Sequence, residues 1–186
     1  MLAEEKTNMT DSEIKALIEK YNLVQRGDKI GTYKKGVDRA ILISEVAPHK
    51  AEIIAYFEAE KEKERKAAEK RKATLEMIPG VAKLRKARIQ WAKWKYEFDK
   101  MMETGSSIMP CVEAPTASEI AAMEEQNPMA VFVLEAEHRA HYTENYQLAA
   151  IWTATYNALC DGKDPESVKA EHDTRMAQFV ADHRWD

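Results

Sequence analysis

Residues 58–73 read EAEKEKERKAAEKRKA, and this stretch decides the fold. It has no large apolar side chain, so no face of it can be buried in a core. Opposite charges recur along it and just beyond it at helical spacing: Glu58 with Lys61, Glu60 with Lys63, Glu62 with Arg65 and Lys66, Glu69 with Lys72. Pairs three and four apart support a helix in water, although each adds little alone. Such a helix needs packed neighbours at both ends. Ile53, Ile54 and Phe57 supply an apolar face just before it, after Pro48, and Pro79-Gly80 ends it. One helix over residues 49 to 78, roughly 45 Å long at 1.5 Å per residue, is therefore predicted as a solvated strut.

Upstream of the strut, Thr10-Asp-Ser-Glu13 has the form of a capping box, and a short helix through Ile14, Leu17 and Ile18 to about Tyr21 follows from it. Leu23 and Val24, then Lys29 to Tyr33, are two short runs separated by Arg26-Gly27-Asp28, which predicts a β-hairpin. Ala40 to Ile43 reads as a short helix capped by Asp38, with a strand as the alternative.

Downstream, Leu84, Ala87, Trp91, Trp94, Phe98 and Met101 form one apolar seam. Residues 104 to 115, with Gly105, two Ser and two Pro, read as a loop. Thr116 to Glu119 repeats the capping-box form. Asn127-Pro128 predicts an N-cap and the start of a long helix ending at Gly162, with Leu148 to Tyr156 at the centre of a bundle. Asp164-Pro165 starts a last helix with Val168, His172, Met176 and Phe179 inward. The predicted fold class is mainly α, with a small αββαα N-terminal module at 10–57, a long charged helix at 58–78 and a C-terminal helical bundle at 80–186.

A chain of 186 residues, 32% charged and with only six Gly and six Pro, reads as a folded helical protein rather than a disordered one. No stretch approaches the roughly 20 apolar residues of a membrane span, and the first 20 residues do not form an apolar signal core, which predicts an intracellular, cytoplasmic protein. Cys111 and Cys160 match no metal spacing and read as a reduced pair. The net charge of −4 is polarised. Residues 1 to 100 carry 23 Lys/Arg against 17 Asp/Glu, and residues 101 to 186 carry 5 against 15, so the two halves suit different partners or each other.

Residues 12 to 57 combine a short helix, a hairpin with Gly27-Asp28-Lys29-Ile30 and Tyr33, a second short helix, and Pro48-His-Lys-Ala-Glu-Ile-Ile-Ala-Tyr-Phe57. This order is similar to the TubC-type N-terminal docking domain of multi-enzyme peptide synthetases, which receives a short segment from the tail of the preceding subunit. The resemblance covers about a quarter of the chain, and Lys34-Lys35-Gly36-Val37 stands where that family has a proline-containing turn. It implies a small α/β module whose hairpin edge, at Lys29, Ile30, Thr32 and Tyr33, accepts an extended peptide. Taken whole, the layout, closing on Arg184-Trp185-Asp186, resembles small proteins carried by phages and mobile elements of Firmicutes.

Candidate chemistry is sparse. Glu137, His138, His141 and Glu144 share a helical face that could present imidazole and carboxylate to a metal. Yet positions 131, 134, 138, 141, 145, 148 and 152 also trace a heptad seam whose polar members would fix helix pairing within the chain or with a second copy. HEXXH is absent, Ser107 lacks a GxSxG context, and Gly27 to Gly36 contains no phosphate loop, so no catalytic, metal or cofactor residues are assigned. His49 and His172 read as packing residues.

Residues 61 to 100 hold 14 Lys/Arg against 6 Asp/Glu, interleaved with Trp91, Trp94 and Tyr96. Lys83, Arg85, Lys86, Arg88, Lys93 and Lys95 are its candidate contacts for phosphates or for a partner. The reading that follows is a non-enzymatic binding protein. Its most concrete form is a phage- or mobile-element-encoded inhibitor of a host defence nuclease, of anti-CRISPR type, blocking nucleic-acid loading or target access. The alternatives are a DNA- or RNA-binding accessory protein using the basic segment, and a peptide-docking adaptor.

Overall fold

The computed structural model describes residues 9–105 and 113–183. Among them the chain is mainly helical, with eight α-helices and a single hairpin. Two compact units, residues 1–68 and 69–186, divide the chain inside its longest helix.

In the first unit, α1 (Asp11–Tyr21) opens on the expected capping box: the Thr10 hydroxyl accepts the Glu13 amide proton, and the Glu13 carboxylate accepts the Thr10 amide proton at 2.8 Å. Strands β1 (Leu23–Arg26) and β2 (Lys29–Thr32) pair antiparallel, with Leu23 opposite Thr32 and Arg26 opposite Lys29. Gly27 takes φ +62° at the first position of the two-residue turn, where the primed hairpin turns call for glycine. Asp38 accepts the Ala40 amide proton at 2.8 Å, so 40–43 forms a helix, α2 (Arg39–Glu45), and not the alternative strand. A 3-10 turn at Ala47–His49 then leads into α3 (Lys50–Glu76).

The core of this unit is small: Ile14, Tyr21, Leu23, Val46 and Ile53 are buried. The Tyr21 hydroxyl donates to Glu45 at 2.6 Å and Lys20 reaches the same oxygen at 2.7 Å, tying α1 to the end of α2. No residue of α2 is buried, and Ile43 is 57% exposed. Along α3 the predicted pairs Glu60–Lys63 (3.5 Å), Glu62–Arg65 (2.6 Å) and Glu62–Lys66 (3.5 Å) form, whereas Lys61 donates to Gln25 Oε1 rather than pairing with Glu58.

The second unit packs the end of α3 with α4 (Val81–Thr104), α5 (Ala117–Gln126), α6 (Pro128–Tyr142), α7 (Tyr146–Cys160) and α8 (Pro165–Asp182). Leu75, Val81, Leu84, Val133 and Leu159 are its largest fully buried side chains. On α4, Leu84 and Ala87 lie in this core while Trp91, Trp94, Phe98 and Met101 are half-buried, with Trp94 and Phe98 stacked at 5.0 Å. Both capping-box bonds at Thr116 and Glu119 are present.

Three expectations need correction. The helix from Pro128 does not run to Gly162: it stops at Tyr142, Thr143 turns extended, and Asn145 starts α7 by accepting the amide protons of Gln147 and Leu148. An asparagine that caps cannot also be a seam residue, and the heptad ends there. Asn127 is the N-cap of α6 and Pro128 its first residue, as expected, but the side chain makes no capping bond. Its Nδ2 donates back to Met123 O at 2.8 Å, and its Oδ1 lies where a β-carbon on Gly80 would come within 2.4 Å, so the Pro79-Gly80 corner (φ +84°) needs glycine twice over. Finally, the Leu148–Tyr156 stretch is not buried all round. Thr155 and Tyr156 are buried, but Ala150 and Thr153 are exposed, because α6 and α8 cover only part of the helix. Residues 106–112, with Ser107 and Cys111, and Arg184-Trp185-Asp186 lie outside the described residues.

Candidate functional site

A cleft of about 420 Å³ borders the hairpin. Its walls are Leu23, the whole run from Lys29 to Thr32, then Leu42, Ile43, Val46 and Ala47, with Lys50 at the start of α3. Strand side chains alternate between two faces, so a cavity on one face would meet every second residue. Four consecutive β2 residues line the wall, so main-chain as well as side-chain atoms of this strand border the cleft.

The hairpin register says which main-chain groups that edge offers. Arg26 and Lys29 close a two-residue turn, and Tyr33 donates its amide proton to Asn22 O at 3.2 Å at the other end. Lys29, Gly31 and Tyr33 therefore direct their amide and carbonyl groups at β1, and Ile30 and Thr32 direct theirs away from it. The sheet has two strands, so among the described residues nothing pairs with that outer side. The Thr32 hydroxyl donates to Tyr21 O and accepts the Lys34 amide proton, which fixes the end of β2. Of the predicted hairpin residues, Lys29, Ile30 and Thr32 line the cleft; Tyr33 is 62% exposed, with Arg26 over its ring at 5.3 Å.

The α2 wall and Lys50 were not singled out in the sequence. A usable signal was present: Ile41, Leu42 and Ile43 are three consecutive large apolar residues on a seven-residue helix, more than one face can bury.

The basic segment separates into two groups. Arg85, with a side chain only 12% exposed, gives Nη1 to Glu76 and Nη2 to Glu137, both at 2.8 Å. Arg88 holds Glu124 at 2.7 Å, and Lys95 holds Asp99 at 2.7 Å. These three predicted contact residues are engaged within the protein. Lys83, Lys86 and Lys93 are exposed and make no ion pair among the described residues, and Tyr96 is 70% exposed.

The histidines are placed by packing. His138 lies 4.9 Å from the Tyr142 ring and His141 meets Tyr156 edge-on at 5.5 Å, and among the described residues no group of three or more His, Cys, Asp or Glu could hold a metal ion. His172 is buried with Nδ1 2.9 Å from Thr155 Oγ1. That hydroxyl gives its one proton to Ile151 O at 3.0 Å, so it accepts the proton that His172 donates from Nδ1. Trp152 at 4.1 Å and Phe132 at 5.4 Å flank the ring, and burial lowers its pKa. Burial pushes the free Cys160 thiol up, and Tyr156, desolvated and beside that thiol, up to about 12. A thiol so placed stays protonated and is a poor nucleophile.

No family model, curated protein or solved structure matches the chain, so its function has to be argued from its own geometry. Among the described residues, no helix is long and apolar enough to cross a membrane.

Proposed function

We propose that this chain is a non-enzymatic binding protein that takes an extended peptide along the outer edge of β2. One observation carries the reading: the Ile30 and Thr32 main-chain groups stand unpaired beside an apolar cleft walled by Leu42, Ile43, Val46 and Ala47. Main-chain hydrogen bonds to such an edge supply affinity, and the cleft supplies selectivity through alternate side chains. The inhibitor of a host defence nuclease expected from the sequence is the case in which the docked segment belongs to that nuclease.

The test is a peptide-display selection followed by amide exchange. Bound peptide is expected to protect the Ile30 and Thr32 amides, and Ile30→Pro is expected to weaken binding about tenfold or more. Proline there removes a donor that faces away from β1 and leaves the ladder intact. Binding that survives Ile30→Pro unchanged would refute edge docking.

A second reading has its own observation: Lys83, Lys86 and Lys93 make no ion pair among the described residues, and Tyr96, one turn beyond Lys93 on the same helix, is exposed, an arrangement suited to phosphates and base stacking. Mobility shifts against single- and double-stranded DNA at two salt concentrations test it. Binding that falls steeply with salt, and weakens in Lys86→Ala/Lys93→Ala, supports this reading; no shift at low salt removes it.

A further inference from the structure

Helix α4 carries two lines of side chains with the same alternation of three and four residues. One, Leu84, Ala87, Trp91, Trp94 and Phe98, is buried or half-buried. The other is offset from it by two residues, roughly 200° around the helix, and runs Lys86, Ile89, Lys93, Tyr96, Lys100. All five of these are exposed, Ile89 by 49% and Tyr96 by 70%. Cations alternate with large apolar side chains, and each kind recurs every seventh residue, about 10 Å along the axis. Seven is the period at which one helix meets another.

The charge on this outer line is unanswered. Arg85 is held by Glu76 and Glu137, Arg88 by Glu124 and Lys95 by Asp99. Lys86, Lys93 and Lys100 make no ion pair among the described residues, although Glu97 stands four residues after Lys93 and three before Lys100. These facts discriminate among occupants. A second copy in parallel would set lysine against lysine, and an antiparallel one would press lysine on isoleucine or tyrosine, so neither pairs the charges. A phosphate chain offers charge at every nucleotide and no aliphatic group for Ile89. A helix with carboxylates and apolar side chains in its own seven-residue repeat matches both kinds of residue at their spacing.

We propose that the outer line of α4 is a docking surface for an acidic amphipathic helix of another protein, whose apolar side chains pack on Ile89 and Tyr96 and whose carboxylates face Lys86, Lys93 and Lys100. The surface is separate from the strand edge of β2, and it takes a protein helix on two lysines that the nucleic-acid reading gives to phosphates. The three amines select the partner and set its register, and the two apolar side chains supply the area that is buried.

The probes are dye-labelled helices of three heptads, stapled on the outer face so that they are helical before they bind, with leucine at one seam position and glutamate, glutamine or lysine at the other. Two registers, with leucine three or four residues after the variable position, serve parallel and antiparallel approach. They are titrated against the full chain by fluorescence anisotropy. In one register the glutamate helix is expected to bind about tenfold more tightly than the glutamine helix, to lose most of that advantage at high salt, and to outbind the lysine helix by more. Lys86→Glu/Lys93→Glu/Lys100→Glu should transfer the preference to the lysine helix. Ile89→Ser/Tyr96→Ser should weaken every helix, and an unchanged circular dichroism spectrum of both variants reports that the fold is intact. Equal binding of the glutamate and glutamine helices in both registers, no binding of either, or a glutamate preference that survives the charge reversal overturns the proposal. So does a DNA oligonucleotide, single- or double-stranded, that displaces the glutamate helix and is itself indifferent to Ile89→Ser/Tyr96→Ser, because the line then serves phosphates. Docking on β2, tested through Ile30→Pro, stands or falls on its own.

Discussion

Arg85 and Lys29 are both cations, and their surroundings are opposite. Arg85 sits between Glu76 and Glu137, with its guanidinium divided between the two carboxylates and its side chain almost covered. Lys29 stands at the mouth of a cleft whose lining holds no acid. The second unit buries leucines and valines, holds His172 on Thr155 and answers Arg85 and Arg88 from other helices, although Lys83, Lys86 and Lys93 stay exposed without ion pairs among the described residues. The first unit leaves a strand edge, a short helix with no buried residue and several cations unanswered. Closed regions report stability, and open ones report binding.

The contrast would break first at the cores. Leu84→Ala removes a side chain 1% exposed and is expected to cost about 3 kcal/mol in a denaturant titration. Leu42→Ala, on the half-buried wall of the cleft, should cost well under half of that and instead weaken peptide binding. Equal losses from the two would mean that the cleft is part of a closed core. The next effect is electrostatic. Arg85→Met leaves Glu76 and Glu137 facing apolar neighbours, and because both carboxylates keep some solvent a loss of about 2 kcal/mol is expected. Lys83→Met on the open side of the same helix should change thermal stability very little.

The smallest effect concerns pH. Burial lowers the pKa of His172 in the folded protein below its ordinary value near 6.5, so the unfolded chain binds the proton first. As pH falls through 6.5 stability should decline, and the decline should level off below the folded-state pKa. Glu13, Glu45, Glu62 and Glu119, each held below the usual carboxylate range by its hydrogen bonds, lose their contributions only from about 4.5 downward. Melting curves at pH 7.5 and 5.5 should therefore differ less for His172→Gln than for the unaltered chain. An undiminished difference would place the titrating group elsewhere.

Local signals were legible in the sequence. The capping boxes at Thr10 and Thr116, the hairpin around Gly27 and the charged helix are each decided within a few residues by backbone chemistry, and they stand in the structure as expected. Misreadings came where a polar side chain had two uses. Asn145 fits a heptad as a seam residue and a helix start as a cap, and only the fold chooses; Asn127 stands at the N-cap of α6, but its side chain bonds to Met123. Charge totals likewise counted Arg85 and Arg88 as surface, because their partners lie far away in sequence at Glu137 and Glu124. The cleft was half legible: the hairpin residues were named, but its other wall is made by α2, whose apolar residues could equally have been core.

The Arg26-to-Lys29 turn has a consequence for inheritance. Its length of two residues sets the parity of β2, and parity decides which amides are inward and which are outward. A single codon inserted beside Gly27 would leave the composition almost untouched and yet turn Lys29, Gly31 and Tyr33 outward. The outward main-chain groups would then be those of Lys29 and Gly31 in place of Ile30 and Thr32, so descendants could change what they recognise by the length of a loop.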